Sequence, residues 1–426
     1  MVVPRTASGA DLGRQRPDDG ERHPADVGRQ ADQRGAAVSP LKVLDVARLI
    51  GGPVAATFLA DLGADVVHVE NPAEHDLLRN VGTTVEDGVS SYWAVEGRNK
   101  QAITLNLRTD KGRELLRLLA RDADILVENQ GAGWMEERGL GPETLLEINP
   151  RLVYVRVSAY GQDGPYRSRK AVDKVAMSFS GMATMLGSEV GPHSPPALFL
   201  ADYCAAMLAA MGAIEAVRRR DTPGGSGRGE VVDVSLYDAM LRFQASHIVD
   251  YTLNGVVKDH AAAGSSPSVV SPSALYKSRD GRWLAIVSTR GGMFERFKKV
   301  IGGEWPTGSL PRDVVEEKLA AWLAEHDAGE AVDLLNEAGV CSSLVSTVAD
   351  LVDDPHIQKR GDLVEVKGGD GTAFLMPGVI PRIGLGPDDP VRWTGQLPGA
   401  ATNAVLGERL GLTPEQIEEL RADGVV

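Results

Sequence analysis

From Leu41 onward, short aliphatic runs alternate with stretches of helical length, and that alternation limits the chain to few architectures. Lys42-Val43-Leu44-Asp45-Val46 reads as a buried strand. Gly51-Gly52-Pro53 opens a helix running through Leu62, Gly63 stops it, and Asp65-Val66-Val67-His68-Val69 is the next strand. A strand over residues 101–105 precedes a helix over 110–121. Residues 124–127, 152–157 and 231–234 are further strands, and helices are expected over 174–185 and 203–219. Strands separated by helical crossovers pair in parallel and are covered on both faces, which predicts an α/β fold with a Rossmann-like parallel sheet. Ligands of such sheets gather at the carboxyl ends of the strands.

The flanking segments differ. Residues 1–40 hold no Phe, Tyr, Trp or Ile and a single Leu, so burial there does not offset the entropy of ordering, and a disordered tail is expected. Residues 41–240 form the larger domain and 241–259 a linker helix. A composition shift after Asp259 marks a smaller α+β domain over 260–350. The C-terminal part, 351–426, contains Thr413-Pro414-Glu415-Gln416, a capping box with Pro at the first helical position.

Acidic residues outnumber basic ones, 59 to 45, and the net charge of −14 argues against nucleic acid as a partner. The two cysteines, Cys204 and Cys341, are too few for a disulfide framework, and no uninterrupted apolar run reaches the length of a membrane span. A cytoplasmic protein without a membrane partner is expected. The eight histidines are scattered without metal-ligand spacing, so no metal is expected. Arg48-Leu49-Ile50-Gly51-Gly52-Pro53 lacks the G-x-G-x-x-G of dinucleotide folds, and neither a P-loop nor a G-x-S-x-G elbow is present.

Asp202 stands where a loop meets an apolar helical run. One reading is a helix N-cap, whose carboxylate accepts bonds from free backbone N–H groups. The other is a nucleophile kept ionised by those donors and by the helix dipole. Asp173 also reads as a cap, of the helix that follows it. Arg98, Lys100 and Arg108 cluster around the third strand, and Arg167, Arg169 and Lys170 precede Asp173; both groups are candidate anion sites.

Taken together these pieces resemble the family III CoA-transferases, the formyl-CoA and carnitine CoA-transferase group, whose superfamily includes the α-methylacyl-CoA racemases. The carrying stretches are Gly51-Gly52-Pro53 with Leu62-Gly63-Ala64-Asp65-Val66, Arg98-Asn99-Lys100, Ala123 to Asn129, Asn149-Pro150-Arg151-Leu152, Gly161 to Tyr166, Gly227-Arg228-Gly229 and Leu412 to Val426. The resemblance implies that Asp202 is the covalent catalyst, forming an aspartyl anhydride and then an aspartyl-CoA thioester. By the same resemblance Ile50, Gly51, Leu105, Asn106, Arg108, Asn129 and Lys170 contact coenzyme A, which is a substrate and not a resident cofactor. It also implies that the C-terminal part rejoins the large domain and that two chains interlock as a homodimer acting on acyl-CoA and small carboxylic acids. Val172 stands where racemases carry a His and transfers no proton, which disfavours the racemase alternative. Gln130-Gly131-Ala132-Gly133 departs from the pattern and leaves a non-catalytic CoA-binding homologue as a third reading. The loop at Gly264-Ser265-Ser266 lacks the glycine run of formyl-CoA transferases, which argues against formyl or oxalate substrates.

Overall fold

The structure is a computed structural model that describes residues 39–86, 89–186, 198–257, 272–288, 291–307, 310–383 and 391–426. Residues 1–38 of the expected tail and the Gly264-Ser265-Ser266 loop lie outside the described residues. Six strands, β1 (Lys42–Asp45), β2 (Asp65–Glu70), β3 (Lys100–Thr104), β4 (Ile125–Glu128), β5 (Val153–Ser158) and β6 (Val231–Ser235), make one wholly parallel sheet. Their order, β3-β2-β1-β4-β5-β6, is the doubly wound order whose direction reverses between β1 and β4. Helix α1 (Gly51–Asp61) starts directly beyond β1, at that reversal.

One face of the sheet is covered by α1 and α3 (Leu200–Asp221), which pack through small side chains: Ala55, Ala56 and Ala60 meet a buried stripe of Ala205, Ala209, Ala213 and Ala216. Small residues allow the close approach. Gly52 serves the other side of α1, where a Cβ would lie 2.3 Å from the Ala47 Cβ in the preceding turn. By length and composition α3 passes for a membrane-spanning helix, although the sequence shows no unbroken apolar run; half of its apolar window is buried inside this protein.

The opposite face carries the helix Asp110–Ala120 and the C-terminal helices Thr402–Leu410 and Pro414–Ala422, around Leu44, Ile103, Leu116, Leu126 and Leu406. The last helix begins with the expected capping box at Thr413. The C-terminal chain also covers the outer edge of β3. Gln396 accepts from the Ala102 N–H, Ala401 donates to the Ala102 carbonyl, and Thr402 accepts from the Thr104 N–H. An edge otherwise open to another chain is thereby saturated.

Three differences from the sequence reading stand out. The expected helix 174–185 is broken at Gly181 (φ 82°) into α2 (Asp173–Phe179) and a turn at Met182–Met185. The helix after the loop starts at Leu200, so Asp202 lies inside its first turn and is not its cap. Within the expected linker helix 241–259, the described residues hold a 3₁₀ turn at Arg242–Gln244 followed by a helix at Ala245–Asn254. Beyond them a three-stranded antiparallel sheet (Ser273–Lys277, Trp283–Val287, Cys341–Leu344) packs with three helices around Leu284, Ile286, Phe297 and Leu319, the expected α+β region.

Two of the basic residues expected to bind anions are structural. Arg98 forks onto Asp61, with Nη2 2.6 Å from Oδ2, and donates to the Pro377 carbonyl at 2.7 Å. Lys100 is buried beneath the sheet, its Nζ 3.0 Å from Asp45 Oδ2 and 2.6 Å from the Pro53 carbonyl, while His68 Nδ1 meets the same Asp45 oxygen at 2.8 Å. Burial pushes the Asp45 carboxyl upward, but Lys100 and His68 outweigh it and hold it at about 2. Its contribution to stability is therefore present above the ordinary carboxylate range and is lost as pH falls toward 2. Lys100→Met leaves that carboxylate buried without its main partner, which costs about 3–5 kcal/mol. In calorimetry the melting temperature of Lys100→Met is expected to fall by about 5–10 °C at pH 7, with the difference from wild type narrowing as the pH is lowered.

Candidate active site

Two hollows open at the carboxyl ends of the strands, one on each side of the β1–α1 turn. The larger, of about 540 Å³, is lined by Leu49, Ile50, Gly51, Asn129, Val157, Ser158, Val172, Asp173, Lys174, Phe199, Asp202 and neighbours. The smaller, about 60 Å³, is lined by Arg48, His68, Glu70, Asp76, Leu105, Arg108, Gln130, Trp134 and neighbours. Both lie where a doubly wound sheet collects its ligands.

Asp202 reaches the larger hollow from the first turn of α3. A Cβ on Gly51 would lie 3.0 Å from its Oδ1 and 3.2 Å from Val157 Cγ1, so any larger residue there crowds the Asp202 carboxylate. The backbone donors that start α3 are taken by a different carboxylate. Asp173 Oδ2 accepts from the Ala201 N–H at 2.6 Å and from the Asp202 N–H at 3.3 Å. Asp173 does not cap its own helix, whose cap position is Val172; it caps α3 across the cavity. Its other oxygen, Oδ1, is buried without a hydrogen-bond partner. Tyr203 fixes the same turn from the far side by donating to Glu96 Oε1 at 2.5 Å.

The electrostatics follow from that division. Burial pushes the Asp202 carboxyl up to about 7 and the like charge of Asp173 adds to the rise, with the Gly51 amide opposing both. Asp173 is itself raised by burial, while the helix-start amides and Lys174 work against the rise. The expectation that the helix start keeps Asp202 fully ionised is corrected: those donors serve Asp173. Cys204, one residue pair further into α3, is buried, and burial raises its thiol.

The residues expected to contact CoA are distributed unevenly. Ile50, Gly51 and Asn129 share the larger hollow with Asp202, whereas Leu105 and Arg108 line the smaller one. Asn129 clamps the chain between them: its Oδ1 accepts from the Arg48 N–H at 2.8 Å and its Nδ2 donates to the Arg48 carbonyl at 2.6 Å. Asn106 is engaged with the C-terminus, its N–H donating to the Val425 carbonyl and its Nδ2 to that of Gly424. Arg108 forks onto Glu74, with Nη2–Oε2 2.7 Å, on the exposed rim. Lys170 is exposed and lines neither hollow; Arg169 beside it lies over the Tyr166 ring at 3.6 Å. Sequence reasoning missed Arg48, Asp76 and Lys174, because nothing in their local pattern distinguishes them from surface charge. Among the described residues no group of three or more His, Cys, Asp or Glu is placed to hold a metal ion.

The sequence profile of CoA-transferase family III matches residues 39–397. The chain belongs to that family. It is 31% identical over 397 residues to the succinyl-CoA–D-citramalate CoA-transferase of Chloroflexus aurantiacus, covering 91% of this chain and 97% of that one. It is 33% identical over 413 residues to the α subunit of the succinyl-CoA–L-malate CoA-transferase of the same species, covering 92% and 94%. The crystal structure of a CAIB/BAIF family protein from Brucella suis superposes with a TM-score of 0.74 at 26% identity, over 87% of this chain and 98% of that chain. This protein is a CoA-transferase, acting between acyl-CoA and carboxylic acids, and the Asp202 cavity is its candidate active site.

Because the Asp202 carboxyl rises from an ordinary 3.8 to about 7 in the fold, its contribution to stability is full below about 3.8 and is lost as pH climbs toward 7. Asp202→Asn removes the loss. Thermal melts should show it more stable than wild type at pH 8, by a few degrees, and indistinguishable near pH 4; an equal increment at both values contradicts the elevated carboxyl.

Proposed function

We propose that this CoA-transferase moves CoA from succinyl-CoA or a similar acyl-CoA to a small dicarboxylic acid, by way of covalent intermediates on Asp202. The observation that carries the reading is an accessible carboxylate in a cavity at the sheet's reversal point, with its own helix donors assigned to a neighbour. Ionised Asp202 attacks the thioester carbonyl and the C–S bond breaks, leaving an aspartyl anhydride and CoA thiolate. The thiolate attacks the aspartyl carbonyl and expels the donor acid, giving an aspartyl-CoA thioester. The acceptor carboxylate then attacks that carbonyl, the thiolate leaves and attacks the new acyl carbonyl, and Asp202 is regenerated. Each step exchanges one activated acyl group for another of similar energy, so one hard transfer becomes several small ones.

CoA is proposed to run from the smaller hollow, where Arg48 and Arg108 offer charge for its phosphates once Arg108 leaves Glu74, across Ile50 and Gly51 to Asp202. Leu105 and Asn129 form walls of that path. The dicarboxylic class is supported by the two relatives above, named for citramalate and malate, and by Lys174, the one cation on the wall of the larger hollow among the described residues. We propose that its ammonium pairs with the carboxylate that does not react.

We further propose a homodimer. The helix Ala245–Asn254 buries none of its residues and exposes Ile248, Val249, Tyr251 and Leu253, while α3 exposes Met207, Met211 and Ile214 along one side. Apolar surface on that scale is unfavourable in water and suits a second copy of this chain. The cytoplasm is the proposed setting, since both cysteines are free.

Acyl-CoA with hydroxylamine should inactivate the enzyme and leave a hydroxamate on Asp202, visible by peptide mass spectrometry. Asp202→Ala should lose transfer by about a thousandfold or more; near-normal transfer by that variant ends the covalent reading. Lys174→Met should raise KM for a dicarboxylic acceptor by about tenfold while leaving a monocarboxylic acceptor of equal length little changed. Light scattering should give the mass of two chains.

A further inference from the structure

Leu49 sits at φ 67°, the left-handed region that a residue carrying a Cβ enters only at a cost. It lies two residues before Gly51, and something must hold it there. The Leu49 N–H donates to both oxygens of Asp76, each at 3.0 Å. Asp76 is 2% exposed and fixed in turn: its own N–H donates to Glu70 Oε1 at 2.8 Å, and its Oδ1 also accepts from the Leu78 N–H at 2.8 Å. Its Oδ2 faces His68 Nε2 at 3.8 Å. The preceding residue, Arg48, is clamped through its backbone by Asn129. The strained turn is therefore gripped on both sides just before the chain meets Asp202, whose Oδ1 lies within 3.0 Å of where a Gly51 Cβ would stand.

We propose that Asp76 is a positioning residue for CoA transfer: by holding Leu49 in the left-handed conformation it sets the Ile50–Gly51 backbone against the Asp202 carboxylate. Released from Asp76, Leu49 relaxes toward negative φ and the Ile50–Gly51 backbone moves from its close approach to Asp202 Oδ1. This rests on the reading of Asp202 as the reacting group. An acceptor with two oxygens directed at one N–H suits the task, and Asn retains one of them.

The test is a double-mutant cycle between residues 76 and 49, read as kcat, KM and the pH profile of the purified full chain. Asp76→Ala is expected to lower kcat about tenfold or more, with KM for acyl-CoA changed less than about threefold and the acid limb of kcat moved to higher pH. In a protein already carrying Leu49→Gly, where positive φ is free of strain, the same substitution should cost about threefold or less. Asp76→Asn is expected to fall between wild type and Ala, and it supplies the same cycle if the Ala variant does not fold. An equal loss in both backgrounds, or a rise in KM with the acid limb unmoved, overturns the proposal and leaves Asp76 as support for the smaller hollow. Asp202→Ala assayed in parallel keeps the two readings apart: if it stays active, the Asp202 reading has failed whatever the cycle shows.

Discussion

Two N–H groups at the start of α3 donate to the carboxylate of Asp173, and the arrangement of the site follows from that choice. A helix start is a limited resource, with a few free donors and the positive end of a dipole. Had Asp202 taken the donors itself, it would be a well-solvated cap with a low pKa and little tendency to share its electrons. With Asp173 in that role, Asp202 faces the cavity beside a like charge and with burial against it, so its carboxyl titrates near 7. A carboxyl raised toward neutrality suits the covalent role proposed for Asp202 better than an exposed aspartate does.

The turn between β1 and α1 completes the arrangement from the other side. It must pass between Ala47, Asn129, Val157 and Asp202, so Gly51 and Gly52 leave it no side chain, and its shape is set by the consecutive Arg48 and Leu49 N–H groups, which donate to Asn129 and Asp76. Beneath it, Lys100, Asp45 and His68 form a buried polar cluster that ties β1, β2 and β3 together and also reaches the Pro53 carbonyl within α1. Buried ions are costly unless each is paired, so removing either Lys100 or Asp45 leaves the other charge stranded in the interior. The C-terminal segment then closes the β3 edge, so the last part of the chain finishes a sheet begun by the first.

Much of this was readable before any coordinates. Strand spacing and helix punctuation were enough for the six-stranded parallel sheet, because a period of two or 3.6 residues is a local property recorded in every few amino acids. The position of Asp202 at a helix start was legible for the same reason, as was the capping box at Thr413. Val172, which faces the cavity without an ionisable group, was also identifiable from sequence.

Partnership across distance had to await the fold. Lys100 and Arg98 carry the composition of an anion site, yet one is buried against Asp45 and the other forks onto Asp61, 37 residues away in sequence. Asp173 looks like the cap of its own helix and instead caps one that begins 27 residues later, and Asp76 reaches back over a strand and a helix to grip Leu49. A carboxylate's surroundings decide whether it is cap, clamp or nucleophile, and residues remote in the chain supply those surroundings. Local pattern therefore determined the elements and their order, while the raised carboxyl of Asp202, the strain at Leu49 and the different partners of the two aspartates were decided only when β1, α2 and α3 came together around one cavity.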